Sequence, residues 1–406
     1  MQYRPTILIL TSDSGFGHRS AANSVVKALE FLYPRVVNSV VVNPILEYST
    51  NSFLRSTELN YDRNVVKHPD FYRFTYEISD SRGASRVVET TLTLSLYSQI
   101  SQIIQSVHPD VILSTNQLYG APSGFVLKTQ RLKTPFFTAV TDLANVHALW
   151  FNDSPDHFFV ASDQVKEKAL VSGIPTSKVT ITGIPVDPSL AVQVEKATLR
   201  QSKGLDPALP TLLIVGSKRV AGILDHLEAL QGIRQSFQVV VIAGGDNELF
   251  EAINRRIWRF PIHTENFVQD MSEWELCADV LITKAGGLIL SEGLAAGLPI
   301  ILIDALPGQE EGNVDFILSH QAGVLTSTPD ELAHLVDEWL STGQSTLKIC
   351  ADHSKHIGHP DSALKIAEKL WQAAEMHTSQ PQSHTRVLKK SSKHQDGPTE
   401  QGEVSI

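Results

Sequence analysis

The stretch VLITKAGGLILSEGLAAGLPIILI, residues 280–303, decides the fold. It begins with the apolar run Val280–Thr283 and ends with the apolar run Ile300–Ile303. Runs that are apolar on both faces are typical of strands buried between two layers of helices. Because the Gly286-Gly287 pair begins a helix between the two runs, the stretch predicts one strand–helix–strand unit of a parallel sheet.

The same alternation of apolar runs and helical stretches extends outward over most of the 406 residues. The apolar runs form two series, which predicts two similar α/β halves, each with a parallel sheet. A Gly/Pro-rich segment, GIPVDP at residues 183–188, separates the series and is typical of a linker. We therefore predict domains at residues 1–186 and 187–360. The predicted strands are Thr6–Leu10, Val111–Ser114, Phe136–Val140, Phe158–Val160, Thr211–Val215, Val239–Ala243, Val280–Thr283 and Ile300–Ile303.

Two regions depart from this alternation, and a helical stretch directly precedes the second. Residues 44–90 lack a clean period and carry many aromatic residues and arginines, which is typical of a functional insertion. Residues 361–377 have a helical pattern, which predicts a C-terminal helix. Residues 378–406 are rich in Ser, Gln and Lys, which predicts a disordered tail.

Composition limits the classes of function. The net charge of −10 disfavours nucleic acid as the main partner, although binding to a membrane depends on local patches rather than total charge. Two cysteines, Cys277 and Cys350, do not form a disulfide framework, which indicates a reducing, cytoplasmic compartment. No run approaches the ~20 apolar residues of a spanning helix. The first apolar run predicts a buried strand rather than a signal peptide.

The first polar motif is SDSGFGHRS, residues 12–20, between the first strand and a helix predicted over Ser20–Leu32. A Gly-rich turn of this kind places backbone N–H groups at the carboxyl edge of the sheet. The dinucleotide fingerprint needs a third glycine where Ser20 stands, so we exclude a nicotinamide enzyme. The turn either presents Asp13 and His18 to a cleft or only begins a helix with a capping serine.

The second motif follows the strand predicted at Phe136–Val140 and contains Asp142, His147 and Trp150. Ligands of open α/β sheets bind at the carboxyl ends of strands, so this position favours a functional role. The alternative is a capping aspartate followed by a packed tryptophan.

The third motif joins the Gly-rich turn of residues 283–299 to a polar loop after the next strand. Gly286 and Gly287 let a diphosphate approach a helix N-terminus, where free N–H groups and the helix dipole favour anions. Glu292 lies one to two turns into that helix, within reach of a ribose diol. The alternative, a Gly-rich turn and a solvated acidic loop, does not explain why both polar loops follow strand ends. The loop residues that offer amide and carboxylate groups to a sugar are Gln309, Glu310 and Asn313.

Together these segments resemble the family 28 type glycosyltransferases that include monogalactosyldiacylglycerol synthases and processive diacylglycerol glucosyltransferases. The resemblance covers roughly residues 5–375. One departure concerns GSKR at residues 216–219, where galactolipid synthases have a run of glycines, although Lys218 or Arg219 offers a phosphate a positive charge. The matching segments are DSGFGHRSAA, VTDL with HALWF, FVASDQVKEK, TGIPV, FVQDM, TKAGGLILSEGLAAGLP and PGQEEGNV.

The resemblance implies the GT-B fold, with two Rossmann-like domains facing across a cleft and the last helix crossing back to the first domain. It also implies inverting transfer from a UDP-sugar, with no cofactor and no obligatory metal. By motif match, Phe267 lies by the uracil, Gly286 and Gly287 by the diphosphate, Glu292 on the ribose, and Gln309, Glu310 and Asn313 by the sugar, while Lys284 is a further donor-binding residue. On the acceptor side the match places Gly17, His147 and Trp150.

Inverting transfer needs a base to take the acceptor proton. Because an unperturbed imidazole has a pKa near 6.5, His18 is the preferred candidate. Asp13 or Asp142 either orients His18 or acts as the base itself.

The expected acceptor is a diacylglycerol-like lipid, and the expected donor is UDP-galactose or UDP-glucose. Residues 48–76 supply an aromatic and Arg-rich segment for a membrane surface, unless those aromatics pack on their own domain. The expected location is therefore peripheral, on the inner face of the cell membrane. The alternatives are a soluble or isoprenoid-linked acceptor, a nucleotide-sugar 2-epimerase, and a non-catalytic sugar-nucleotide sensor.

Overall fold

The computed structural model describes residues 3–14, 17–49, 51–59, 82–220, 222–306, 310–341 and 345–379. Residues 60–81 of the predicted insertion, residues 380–406 of the predicted tail and Gln309 lie outside this description. Within it, no helix combines the length and the apolar character needed to cross a membrane.

The first half of the chain builds one parallel sheet. Its strands are β1 (Thr6–Leu10), β2 (Asn38–Val42), β3 (Val111–Ser114), β4 (Phe136–Ala139), β5 (His157–Val160) and β6 (Val179–Ile181). They lie in the order β2-β1-β3-β4-β5-β6. The chain steps out to β2 and then returns past β1 to β3, so the direction of winding reverses between β1 and β3. The loops after these two strands therefore diverge and leave a crevice at the carboxyl edge.

Helices cover both faces of this sheet. The helices are α1 (Gly17–Leu32), α2 (Pro44–Tyr48), α3 (Ser52–Leu59), α4 (Arg82–Val107), α5 (Gly120–Thr129) and α6 (Asp163–Val171). One apolar layer joins the sheet to α1, and another joins it to α4 and α5, which pack on each other.

The second half repeats the plan. Its strands are β7 (Thr211–Val215), β8 (Gln238–Ile242), β9 (Ile262–Glu265), β10 (Val280–Lys284), β11 (Ile300–Asp304) and β12 (Gly323–Leu325). Their order is β12-β11-β10-β7-β8-β9, all parallel, and the winding reverses between β7 and β10. The helices of this half are α7 (Lys196–Ser202), α8 (Ile223–Leu230), α9 (Asn247–Asn254), α10 (Met271–Cys277), α11 (Gly287–Ala295), α12 (Glu311–Ser319), α13 (Pro329–Ser341) and α14 (Ser345–Ile357).

The last helix, α15 (Ser362–Ser379), packs on α1 and the first sheet. Ile366 and Leu370 are fully buried there, and the Trp371 ring stacks on Tyr33 with 4.5 Å between ring centroids. A separate apolar cluster runs through both halves and includes Leu143 of the first and Leu290 of the second. The two halves therefore pack on each other through apolar side chains as well as through the chain crossing.

The α/β fold class with two parallel-sheet halves is confirmed. The sequence predicts the central strands of each sheet and none of the edge strands, which are β2, β6, β9 and β12. Edge strands have one side open to solvent, and here their apolar runs span at most three residues, as in β2, or are interrupted by polar residues, as in β6 and β9. Ile262–Glu265, for example, reads IHTE and each of its residues is only partly buried.

Candidate active site

A cavity of about 920 Å³ lies between the carboxyl edges of the two sheets. It opens at both winding reversals, because loops after β1 and β4 line one wall and loops after β7 and β10 line the other. Its volume is within the usual range for small-molecule sites. Among the predicted site residues, those lining it are Gly17, His18, Asp142, Phe267, Lys284, Gly286, Gly287, Glu292 and Glu310.

His18 lies in the first turn of α1, because that helix begins at Gly17 and not at the predicted Ser20. Its Nδ1 is 2.9 Å from the Thr115 carbonyl oxygen and 2.6 Å from the Thr141 hydroxyl. A carbonyl can only accept a hydrogen bond, so Nδ1 carries the hydrogen and Nε2 keeps its lone pair. The ring is thereby fixed in the tautomer that can accept a proton at Nε2.

Burial lowers the pKa of His18 to about 4, and the hydrogen bond to the Thr115 carbonyl only partly offsets this effect. The imidazole is therefore neutral at pH 7 and able to act as a base. A low pKa also makes it a weaker base than a free histidine.

Asp142 follows β4 and faces the same cavity. Its Oδ2 accepts a hydrogen bond of 2.7 Å from Trp150 Nε1. Burial raises the pKa of Asp142 to about 6, although the Trp150 hydrogen bond lowers it. Since this pKa is close to neutral pH, the carboxylate is a second candidate base.

Asp13 has a different position from the one that the sequence suggests. Its carboxylate binds Arg19, with Nε at 2.6 Å and Nη2 at 3.1 Å, and the hydrogen bond from Arg19 lowers the pKa of Asp13. It does not line the cavity, and the His18 ring is held by Thr115 and Thr141 instead of by Asp13 or Asp142. An aspartate paired with arginine is a poor base, so its contribution is to hold the turn.

His147 and Trp150 lie beneath the cavity instead of lining it. Trp150 is 1% exposed and contacts both Asp142 and the His18 ring, whose centroid is 6.2 Å from its own. His147 Nδ1 accepts a hydrogen bond from Leu149 N and begins the turn that carries Trp150. Both residues thus support the wall of the cavity that His18 and Asp142 line.

The opposite wall is the N-terminus of α11. Gly286 precedes this helix and Gly287 is its first residue. A Cβ on Gly287 would lie 3.5 Å from Leu143 N and 3.6 Å from Thr141 O, so the two halves meet closely at this glycine. The N–H groups of a first helical turn have no partner within the helix and favour an anion.

Lys284 and Glu310 form a largely buried ion pair beside the Gly-rich turn. Lys284 Nζ would be 3.2 Å from a Cβ on Gly286, which places its charge next to the predicted diphosphate position. Glu310 also accepts a hydrogen bond of 3.0 Å from Leu306 N. The pair holds both side chains at the cavity wall.

Glu292 is buried where α11 faces the cavity. Burial is the main cause that raises its pKa, Asp187 adds to the rise and Lys27 opposes it, and the resulting pKa is about 8. The carboxyl is therefore protonated at pH 7, so it can both donate and accept hydrogen bonds. Behind it lies Glu275, which is 0% exposed and has no hydrogen-bond partner at either carboxyl oxygen among the described residues.

Of the two remaining predicted residues of this half, Phe267 lines the cavity and Asn313 does not. Phe267 is 55% exposed at the cavity, as an aromatic platform for a base would be. Asn313 is buried and does not line the cavity, and its Nδ2 donates a hydrogen bond of 2.9 Å to the Ala285 carbonyl. Its place is to tie α12 to the Gly-rich turn.

Sequence reasoning did not find Lys27, which lies on α1 two to three turns after His18. Its Nζ is 2.7 Å from Asp187 and 3.0 Å from Asp270, so it joins the first half to the second at the cavity wall. Nothing in the local sequence marks this lysine, because its partners are 160 and 243 residues away. Across the described residues, no three His, Cys, Asp or Glu side chains are placed to hold a metal ion.

Known proteins resemble this chain in both sequence and structure. The model of the monogalactosyldiacylglycerol (MGDG) synthase family matches residues 18–186. The chain is 30% identical over 380 residues to monogalactosyldiacylglycerol synthase 2, chloroplastic, of Arabidopsis thaliana, covering 91% of this chain and 81% of that protein. It is 29% identical over 392 residues to the probable monogalactosyldiacylglycerol synthase 2, chloroplastic, of Oryza sativa subsp. japonica, covering 94% and 82%.

Solved structures share the fold at lower identity. MurG of Acinetobacter baumannii has a TM-score of 0.55 at 14% identity, covering 91% of this chain and all of that one. A UDP-N-acetylglucosamine 2-epimerase has a TM-score of 0.58 at 13% identity, covering 95% of this chain and all of that one. HepE of Anabaena, in complex with UDP-glucose, has a TM-score of 0.54 at 13% identity, covering 91% and 99%.

Two parallel-sheet halves with a cavity between their carboxyl edges are the GT-B fold. The similarity in sequence to galactolipid synthases shows that the protein is a glycosyltransferase. The chain belongs to the monogalactosyldiacylglycerol synthase family.

Proposed function

We propose that the chain transfers one hexose from a UDP-sugar to the free hydroxyl of diacylglycerol, with inversion at the anomeric carbon. The observation that carries this proposal is that one cavity has candidate bases on one wall and an anion-binding helix N-terminus on the other. The relatives support the choice of substrates, because they are named for a galactosylated diacylglycerol product.

The proposed step is a single displacement. The acceptor oxygen bonds to the anomeric carbon while His18 Nε2 or the Asp142 carboxylate takes its proton. The bond from that carbon to the diphosphate oxygen breaks, and its electron pair leaves with UDP. The N-terminus of α11 and Lys284 stabilise the negative charge on the departing diphosphate. With those groups in this role, we propose that transfer needs no cofactor and no metal, so addition of EDTA is expected to leave the rate unchanged.

We propose UDP-galactose as the donor, because the relatives are named for the galactosyl product. UDP-glucose is the competing donor, since residues 216–219 line the cavity with Lys218 and Arg219, where galactolipid synthases resemble one another in a run of glycines. The test is to incubate the protein with diacylglycerol and, separately, UDP-galactose, UDP-glucose or UDP-N-acetylglucosamine. Mass spectrometry of the lipids is expected to show a monohexosyl diacylglycerol with UDP-galactose.

The same assay tests the alternatives. Isomerisation of the UDP-sugar in the absence of acceptor would identify the protein as a 2-epimerase, an enzyme whose fold the chain shares. Donor binding without UDP release, in the presence of diacylglycerol, would show a sensor. Sugar transfer to an isoprenoid lipid and not to diacylglycerol would be consistent with the proposed donor site but would contradict diacylglycerol as the acceptor.

We propose that the protein binds peripherally to a membrane surface, on the inner face of the cell membrane, since diacylglycerol is confined to bilayers. The sequence of residues 50–75, aromatic and Arg-rich, supports this segment as the contact. A variant lacking residues 50–75 is expected to lose co-sedimentation with liposomes while still binding UDP. Unchanged co-sedimentation of a folded variant would remove this segment from the membrane contact.

A further inference from the structure

Below the turn that follows β1 lies a buried group of polar side chains outside the cavity lining. Glu58, on α3, is 7% exposed, and its Oε1 accepts three hydrogen bonds. The donors are the Ser12 hydroxyl at 2.8 Å, the Asp13 backbone N–H at 3.0 Å and Asn43 Nδ2 at 2.7 Å. Two of the three donors belong to the turn that leads to His18.

The contacts continue from Glu58 toward His18. Asn43 Nδ2 also donates to Asp13 Oδ2 at 2.9 Å, so Asp13 is held at both its backbone and its side chain. Asp13 in turn binds Arg19 through two hydrogen bonds. Arg19 is the residue after His18 on α1, so the network fixes both ends of the turn that carries the imidazole.

No other described segment gives the Ser12–Asp13 backbone a side-chain acceptor of this kind. Glu58 comes from 45 residues along the chain and does not line the cavity, so it has no contact with a substrate there. Burying a polar side chain such as that of Glu58 costs free energy unless hydrogen bonds replace those it made to water. Here two of the replacing donors belong to the turn, so the position of the turn depends on the presence of Glu58.

We propose that Glu58 is a positioning residue that fixes the turn after β1 and, through Asp13 and Arg19, the ring of His18. The inference rests on the proposed function, because it assumes that His18 acts in the transfer reaction. Loss of the Glu58 acceptor releases the turn, and a shift of about 1 Å in a reacting group can lower a rate by roughly 100-fold. The donor wall belongs to the other half of the chain and is unaffected.

The experiment compares Glu58→Ala with the conservative Glu58→Gln, whose amide oxygen can still accept from Ser12 and Asp13. With UDP-galactose and diacylglycerol, Glu58→Ala is expected to lower kcat by about 10- to 100-fold and to leave donor KM within about 2-fold. Glu58→Gln is expected to recover most of the rate. Glu30→Ala, an exposed glutamate on the same helix as His18, is the matched control and should equal the wild type.

A merely structural role is separated by a double-mutant cycle with His18→Ala. If Glu58 acts through His18, adding Glu58→Ala to His18→Ala changes kcat by less than about 2-fold. A second full loss in that background, or wild-type kcat for Glu58→Ala alone, overturns the inference. The stoichiometry of UDP binding reports the folded fraction of each variant, and Ser12→Ala replaces Glu58→Ala in the cycle if the latter binds no UDP.

Failure of the proposed function has a different signature. In that case the wild type forms no glycosyl diacylglycerol, and the position of His18 is then read from its ring by NMR. The wild-type ring is expected to show the Nδ1–H tautomer, and Glu58→Ala should change its ring shifts while Glu30→Ala does not. Unchanged His18 shifts in Glu58→Ala overturn the inference even then.

Discussion

At the residue scale, His18 and Asp142 are the two groups whose environment suits proton transfer. The His18 tautomer is fixed by the Thr115 carbonyl, and Asp142 has a pKa raised toward neutrality by burial. His18 lies at the winding reversal of the first sheet, where a small ligand is expected. On its position we keep His18 as the proposed base, whereas the pKa values of about 4 for His18 and about 6 for Asp142 favour Asp142, which lines the same cavity.

We expect His18→Ala to lower kcat by at least about 100-fold, because general-base catalysis typically contributes that much. UDP release with diacylglycerol measures the change. His334→Ala, an exposed histidine on α13, is the matched control and is expected to keep the wild-type rate. Near-normal turnover of His18→Ala would move the base role to Asp142.

Glu292→Ala is expected to raise the donor KM by about 10-fold, as for the loss of two neutral hydrogen bonds to a ribose. The kcat at saturating donor should change much less, because the ribose is not at the reacting centre. Glu273→Ala, which removes a half-exposed glutamate of the neighbouring α10, serves as the control. A donor KM equal to that of the wild type would contradict the ribose assignment.

At the element scale, α15 packs on α1, the helix that begins at the site. We expect Leu370→Ala to lower the free energy of unfolding by about 2–5 kcal/mol, because the side chain is fully buried between α15 and the first sheet. Urea denaturation measures this loss. Met376→Ala, at a residue 63% exposed on the same helix, should change stability by no more than about 0.5 kcal/mol. Equal losses for the two variants would show that α15 does not pack there in solution.

The boundaries of the strands and helices differ in how well the sequence predicts them. The strand after which each motif lies was predictable, because the predicted runs, such as Thr6–Leu10 and Val280–Thr283, read as apolar on both faces. The start of α1 was not predictable from the sequence. The glycines at residues 15 and 17 are typical of a turn, whereas Gly17 is already the first residue of the helix. Three residues of difference move His18 from a loop into the first helical turn, where its ring contacts Thr115 and Thr141.

At the scale of the whole molecule, Lys27 of the first half contributes to the ionisation of Glu292 in the second. Burial is the main cause that raises the pKa of Glu292, Asp187 adds to the rise and the positive charge of Lys27 opposes it, and the resulting pKa is about 8. Below that pH the carboxyl is neutral, and above it a negative charge develops in the cavity where the anionic UDP is proposed to bind. UDP affinity is therefore expected to fall as the pH rises through about 8.

We expect Lys27→Met to move the midpoint of this fall to higher pH, because removal of the cation raises the pKa of Glu292. Calorimetric titration of UDP between about pH 6 and 9.5 measures the midpoint. Lys196→Met removes a similarly exposed lysine from an ion pair with Asp279 outside the cavity lining, and its midpoint should match the wild type. A midpoint that stays in place for Lys27→Met would show that the two halves do not couple at Glu292.

The sequence by itself determined the central strands, the two Gly-containing turns and the family, because each of these is written in contiguous residues. It placed His18, Asp142 and the Gly286-Gly287 turn after strand ends and Glu292 on the helix that follows the turn, and these line one cavity. Only the tertiary structure decided which of them share a hydrogen bond and which are charged. Asp13 binds Arg19 instead of His18, and the pKa of Glu292 depends on burial and on charges from distant segments. Burial and long-range neighbours fix these properties, and neither is encoded in the spacing of a motif.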